Sequence, residues 1–155
     1  MDTENSIKEK ALEFFKKQQV IIISTVATSG EPESAAVSFI VDDEFNIYIA
    51  TRESSRKFQN IAHDPRVSIV AGFDPKHLST LQIQGTAEVS KKDFLSIGMS
   101  LVEKSVKEKT DWWPLVKMAG LDFVVIKVKI NWMRWLDFDI TSKTESYKEY
   151  YHQVI

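Results

Sequence analysis

The chain has no cysteine among its 155 residues. Disulfides, a thiol nucleophile, zinc–thiolate sites and iron–sulfur clusters are therefore excluded. Neither sign of charge dominates: 20 Lys plus Arg stand against 22 Asp plus Glu, a formal net charge of −2, with a pI near 5.9. A protein built to coat nucleic acid or an anionic membrane would be lopsided in charge, so neither partner is expected. No apolar run approaches the roughly 18 residues that cross a bilayer. The opening Met1-Asp2-Thr3-Glu4-Asn5 is acidic and polar, without the basic-then-apolar pattern of a secretory leader. A soluble, cytoplasmic protein is expected. Histidine is scarce as well: His63, His77 and His152 are scattered, no pair sits at metal-ligand spacing, and no metal site is expected.

What is present is ordinary in proportion. Hydrophobic residues make up 43% and charged residues 27%, the balance of a globular protein rather than of a disordered chain, a collagen-like repeat or a coiled coil. The length suits one domain over residues 1–155, able to bury roughly 68–70% of the surface its unfolded form exposes. No internal repeat, low-complexity tract or linker interrupts it.

Along the chain, Ile7, Ala11, Phe14 and Phe15 recur at helical spacing and predict a short amphipathic helix over 6–18. Val20 to Val26 reads as a β-branched strand stopped by Thr28-Ser29-Gly30-Glu31-Pro32, a hairpin turn. Ser34 to Val41 predicts a second strand, and Asp42-Asp43-Glu44-Phe45-Asn46 turns it into a third at Ile47 to Thr51. With such short turns these three strands are expected to form an antiparallel meander. Residues 54–63 place Phe58, Ile61 and Ala62 on one helical face, ended by Asp64-Pro65. Strands follow at Arg66 to Gly72 and at Leu81 to Val89. In the latter, Leu81, Ile83, Ala87 and Val89 alternate with Gln82, Gln84, Thr86 and Glu88. Gly85 interrupts the apolar set, which predicts a bulge or a close backbone approach.

Ser90-Lys91-Lys92-Asp93 has the form of a capping box opening a helix with Phe94, Ile97, Leu101 and Val102. A shorter helix is predicted at Asp111 to Val116, with Pro114 in its first turn, and a long strand from Phe123 to about Leu136. Residues 137–155, polar with a Tyr-rich end, are expected to be a last helix or an arm. The fold class is mainly β (α+β): a six-stranded antiparallel β-barrel with a few flanking helices, closed so that no edge is left open.

Chemistry concentrates in Thr51-Arg52-Glu53-Ser54-Ser55-Arg56-Lys57, between a strand end and a helix start. Unpaired N–H groups and the positive end of the helix dipole favour an anion there. Arginine adds a fork that matches phosphate oxygens, lysine a point charge, and the hydroxyls further donors. The competing reading is a capped helix with solvated cations.

Ile22-Ile23-Ser24-Thr25-Val26, Gly30-Glu31-Pro32, Ala50-Thr51 with Ser55-Arg56-Lys57, Asp64-Pro65-Arg66-Val67-Ser68 and Leu81 to Val89 follow one another in an order and spacing that resembles the pyridoxamine 5′-phosphate oxidase-like family. The resemblance spans residues 7–136 and implies an FMN-binding split β-barrel. It implies that Ala50, Thr51, Arg56 and Lys57 hold the FMN phosphate, with Ser55 in the same cofactor-binding loop, and that the strand carrying Val37 and Ser38 offers backbone groups to the isoalloxazine ring. It further implies a homodimer with the cofactor at the subunit interface, closed by a tryptophan, Trp135 here.

The departures are as informative. The true oxidases carry an arginine where this chain has Ala35, a substrate-facing lysine where it has Ile40, and a flavin-directed glutamine where it has Thr80. Their C-terminal Arg-Leu-His segment has no counterpart after Trp135. The resemblance is therefore to the short general-stress or uncharacterised branch, and pyridoxamine phosphate is not the expected substrate. The expected function is an FMN-dependent oxidoreductase acting on a small molecule. A non-catalytic flavin- or haem-binding module and a deazaflavin-dependent reductase are the alternatives.

Other residues carry weaker signals. Ser96 and Ser100 lack the Gly-x-Ser-x-Gly elbow of a serine hydrolase. Asp42-Asp43-Glu44 sits in a turn, where acids serve turn geometry. Trp132 and Trp135 are predicted on opposite strand faces, so at most one can meet a cofactor. Trp112 and Trp113 are read as core or interface anchors. Tyr147, Tyr150 and Tyr151 either cover a partner subunit or end in solvent.

Overall fold

The computed structural model describes residues 4–74, 76, 78–90, 94–108, 123–137 and 151–155. Helix α1 (Glu4–Lys17) leads into strand β1 (Val20–Val26), followed by β2 (Pro32–Ser38), β3 (Ile40–Val41) and β4 (Ile47–Arg52). Helix α2 (Arg56–His63) separates these from β5 (Arg66–Ala71) and β6 (Ser79–Ser90). Helix α3 (Phe94–Glu108), β7 (Phe123–Asp137) and β8 (Tyr151–Gln153) complete the described elements. No helix among the described residues is long and apolar enough to cross a membrane.

The strands form one sheet in the order β2-β1-β5-β6-β7-β4-β3, with β8 paired to β7, and every pairing is antiparallel. The two ends of that order, β2 and β3, are one stretch of chain interrupted at Phe39. The sheet therefore curls until its ends are joined by a single bent segment, which is a split barrel. Eight strands are present among the described residues where six were expected. The segment 34–41 breaks in two because Phe39 leaves the pleat and buries completely against Phe15, ring centroids 4.9 Å apart.

The same break corrects the expected meander. β1 and β2 form one hairpin and β3 and β4 another, at opposite ends of the sheet order. The first turn uses Gly30 at φ 91°. In the second, Phe45 takes φ 65° while the Asp42 carboxylate accepts from the Glu44 and Asn46 backbone N–H groups and from Tyr48 Oη. Asp42 is a turn organiser, as its position predicts.

Gly85 marks a register shift, as expected. Gln84 faces Trp132 and Gly85 faces Ile130, so Asn131 is the extra residue on β7. A Cβ at Gly85 would lie 2.7 Å from the Lys129 carbonyl oxygen. The bulge switches which residues of β7 face inward. Ile126, Val128 and Ile130 lie on the core side before it, and Met133 and Trp135 after it. Without the extra residue, one of these two apolar sets would face outward. Trp132 and Trp135 accordingly fall on opposite faces.

Two further expectations change, and several lie outside the described residues. The arm at 137–155 includes a strand, since β8 pairs Tyr151 with Leu136 and Gln153 with Arg134. Tyr151 stacks on the Arg134 guanidinium, 4.1 Å from its ring centroid. Of the apolar stripe predicted for α3, only Leu101 is buried, while Phe94 and Val102 stay exposed. The predicted helix at 111–116, Trp112, Trp113, Tyr147, Tyr150, His77 and most of the capping box at 90–93 lie outside the described residues.

Candidate functional site: a cation-lined pocket at the start of α2

Ser55 caps α2 with extended backbone (φ −73°, ψ 148°), and its Oγ accepts the Phe58 N–H at 3.3 Å. Thr51, one residue before the end of β4, lies on the face shared with Ile47 and Ile49 and is buried. Its Oγ1 lies 3.0 Å from Ser55 Oγ and accepts from Lys57 Nζ at 3.2 Å. Burial pushes the Lys57 ammonium below the usual lysine range. A half-buried cation whose described partner is a hydroxyl, not a carboxylate, is incompletely compensated, and an arriving anion would restore the balance.

The pocket beside these groups measures about 460 Å³, within the range of small-molecule sites. Ile23 and Thr25 of β1, Glu33, Ser34 and Ala35 of β2, and Arg56 and Lys57 of α2 line it. Its floor follows from strand register. Ile23 pairs with Ala35 and Thr25 with Glu33, so one hairpin face passes from apolar to polar just beneath α2. Arg56 Nη2 donates to Glu33 Oε1. Asn60, one helical turn after Arg56, donates through Nδ2 to Glu33 Oε2 at 2.9 Å and to Thr25 Oγ1 at 3.0 Å.

Thr51, Ser55, Arg56 and Lys57 are thus brought together as the sequence pattern predicts. Ala50, Val37, Ser38 and Trp135 are not among the residues that line this pocket. Ala50 points to the opposite face of β4 from Thr51, leaving its backbone as its contribution there. Val37 is buried on the inner face two residues beyond Ala35, and Ser38 lies on the outer face. β2 ends the sheet order, so its second edge has no strand beside it among the described residues. Trp135 lines a separate pocket of about 570 Å³ with Phe14, Gly72, Ser79 and Asp137, and no wall is shared with the pocket of Arg56 and Lys57. Its indole donates to Ser79 Oγ at 2.8 Å and packs 5.9 Å from the Phe14 ring.

Sequence reading missed Glu33, Asn60 and Thr25. The signal for Asn60 was available: it falls four residues after Arg56, beside Ile61 on the buried side of α2. A polar residue there needs an internal partner. Ser100 spends its hydroxyl on the Ser96 carbonyl within α3, a helix-internal bond with no catalytic geometry.

A curled antiparallel sheet closed through one bent segment defines a split β-barrel, here with a pocket lined by Arg56 and Lys57 at a helix start. The chain belongs to the pyridoxamine 5′-phosphate oxidase family, whose model matches residues 7–136. It is 34% identical over 87 residues to the 5a,11a-dehydrotetracycline/5a,11a-dehydrooxytetracycline reductase of Streptomyces rimosus subsp. rimosus, a match covering 52% of this chain and 61% of that relative. Among solved structures, the conserved hypothetical protein Rv2991 of Mycobacterium tuberculosis shares the fold at TM-score 0.72 and 22% identity, covering 89% of each chain. General Stress Protein 26 of Bacillus anthracis str. Sterne does so at 0.65 and 24%, covering 83% of this chain and 92% of that one. An F420 reductase shares it at 0.62 and 20%, covering 78% and 93%.

Proposed function

We propose that the protein is a cytoplasmic, FMN-dependent oxidoreductase of this family, with the cofactor phosphate held at the start of α2. The observation that carries the reading is the half-buried Lys57 ammonium, which donates to the Thr51 hydroxyl and shares a pocket wall with Arg56. The residues present fit a terminal phosphate. Lys57 supplies charge, Arg56 a planar fork, and Ser55 and Thr51 hydroxyls at the positive end of α2. The outer edge of β2, with no strand beside it among the described residues, supplies backbone donors and acceptors next to the same pocket. When bound, the flavin provides the hydride and electron chemistry, and the protein positions and shields.

Ala35 lines the pocket where the true oxidases have an arginine, which supports a substrate other than pyridoxamine phosphate. A homodimer is part of the proposal. The outer face of the sheet offers half-buried Ile22 between Ala36 and the exposed Val70, flanked by the small residues Ser24, Ser34 and Ser68. Such a patch of apolar and small residues suits a second copy of itself, and sedimentation equilibrium reads it directly.

The test is the visible spectrum of the freshly purified protein together with FMN titration of the wild type and Arg56→Ala/Lys57→Ala. Flavin absorption in the wild type, with affinity in the double variant lowered by several kcal/mol at about 1.5–3 kcal/mol per charge-assisted bond, supports the assignment. Unchanged affinity in the double variant sinks it. A deazaflavin cofactor is the second reading, favoured by the fold shared with the F420 reductase, and competitive loading of the two cofactors separates them. Haem has less support, because the pocket lining contains no His, Met or Tyr to ligate iron.

A further inference from the structure

The pocket at the start of α2 contains a carboxylate as well as its two cations. Glu33 lines the pocket with Lys57 and accepts from Arg56 Nη2 with one oxygen and from Asn60 Nδ2 with the other. Asn60 is 7% exposed and is held in turn by Thr25, 2% exposed. The carboxylate is therefore anchored from beneath by a buried polar network. Swinging it away would leave the Asn60 amide short of a partner.

We propose that Glu33 is the specificity determinant of the anion pocket, a built-in counter-charge that admits one phosphate monoester on a neutral, hydroxyl-bearing arm and disfavours a diphosphate. The proposal rests on the phosphate reading of Arg56 and Lys57. The pocket lining holds two cations and one anion. An incoming phosphate, with a charge of about −1.5 to −2 near neutral pH, must share Arg56 with Glu33. A single phosphate can lean toward Lys57, the two hydroxyls and the N–H groups of α2, away from the carboxylate. A second phosphate brings further negative charge beside the largely shielded Glu33 carboxylate, so like-charge repulsion grows. A carboxylate that already accepts from Arg56 and Asn60 retains lone pairs for hydroxyl donors, so a polyol next to the phosphate is tolerated where another anion is not.

The test compares wild type with Glu33→Gln, which keeps the shape and an acceptor for Asn60 while removing the charge. Inorganic phosphate and pyrophosphate are titrated calorimetrically into both, with unfolding curves to verify that the variant is folded. Glu33→Ser serves as a second, smaller variant expected to act in the same direction. The expected result is phosphate affinity raised about tenfold in Glu33→Gln, a change of about 1.4 kcal/mol, and pyrophosphate affinity raised by more. Equal gains for the two anions, unchanged affinities, weaker binding in the variant, or no measurable anion binding in either protein would each overturn the proposal. FMN titrations in the same samples keep the two readings apart. FMN bound through Arg56 and Lys57 with anion affinities indifferent to Glu33 defeats this proposal alone. Anion affinities that respond to Glu33 while FMN fails to bind defeat the flavin reading alone.

Discussion

Lys104 lies over the ring of Phe39, its Nζ 4.3 Å from the centroid, and donates to the Phe39 carbonyl oxygen at 3.0 Å. The same ammonium donates to the Gln18 carbonyl at 2.7 Å. One cation on α3 therefore fastens the bend where the barrel closes to the start of β1, and satisfies two carbonyls that strand pairing leaves over. Burial lowers the Lys104 pKa against the opposing pull of Glu108.

Replacing that ammonium should loosen the closure. Lys104→Met retains most of the packing and removes both hydrogen bonds and the cation–π contact, and we expect a loss of about 1–3 kcal/mol. Urea unfolding with an unchanged m-value would show the loss to be one of stability. A variant as stable as the wild type would mean that water serves the two carbonyls equally well.

The Asn60 bridge should be comparably sensitive. Asn60→Ala leaves Thr25 without its described partner and frees one Glu33 oxygen, at a cost of about 1–3 kcal/mol. Thermal unfolding measures it.

Gly72 is expected to resist substitution. Its φ is +90°, and a Cβ there would lie 2.5 Å from the Ser79 carbonyl oxygen and 2.7 Å from Phe14 Cζ. Gly72→Ala combines left-handed strain with a clash against backbone, so a loss of at least about 1–3 kcal/mol is expected. Gly30 also has a positive φ, +91°, but a Cβ there would meet nothing within 4 Å. Gly30→Ala should therefore cost less, and comparing the two unfolding midpoints separates steric from conformational cost.

Lys57 sets a pH dependence. Its folded pKa is below the ordinary 10.5 because burial disfavours the charged form. Between the folded pKa and 10.5 the unfolded chain binds more protons, so Lys57's contribution makes stability rise with pH across that window. Anion binding runs the other way: a bound phosphate favours the protonated amine, so affinity should hold from about pH 8, above the second phosphate ionisation, and fall as the amine deprotonates. Phosphate titrations from about pH 8 upward, at about half-unit steps, should show that fall in the wild type and not in Lys57→Met.

Much of this protein is legible in local sequence. β1 and the first hairpin, the capped start of α2 and the bulge at Gly85 follow from β-branching, turn chemistry, a serine at the helix start and one interrupted alternation. So does the meeting of Thr51, Ser55, Arg56 and Lys57, because they are close in the chain and one strand-to-helix turn brings them together. Local patterning did not reveal the break at Phe39, since a strand through 34–41 and two strands around a bend have the same apolar content. Nor did it reveal that Glu33 lines the pocket of Arg56 and Lys57, with Asn60 bonded beneath it.

By itself, then, the sequence determined most of the strands and helices and where the cations gather, because propensity, capping and alternation act over a few residues. Only the tertiary structure decided that the sheet closes through Phe39, that Asn131 turns Met133 and Trp135 back to the core, that Trp135 lines a pocket apart from Lys57, and that a carboxylate from β2 meets Arg56. Each of these depends on register and curvature between segments distant in the chain, where the free energy lies in burying shared surface and pairing buried polar groups.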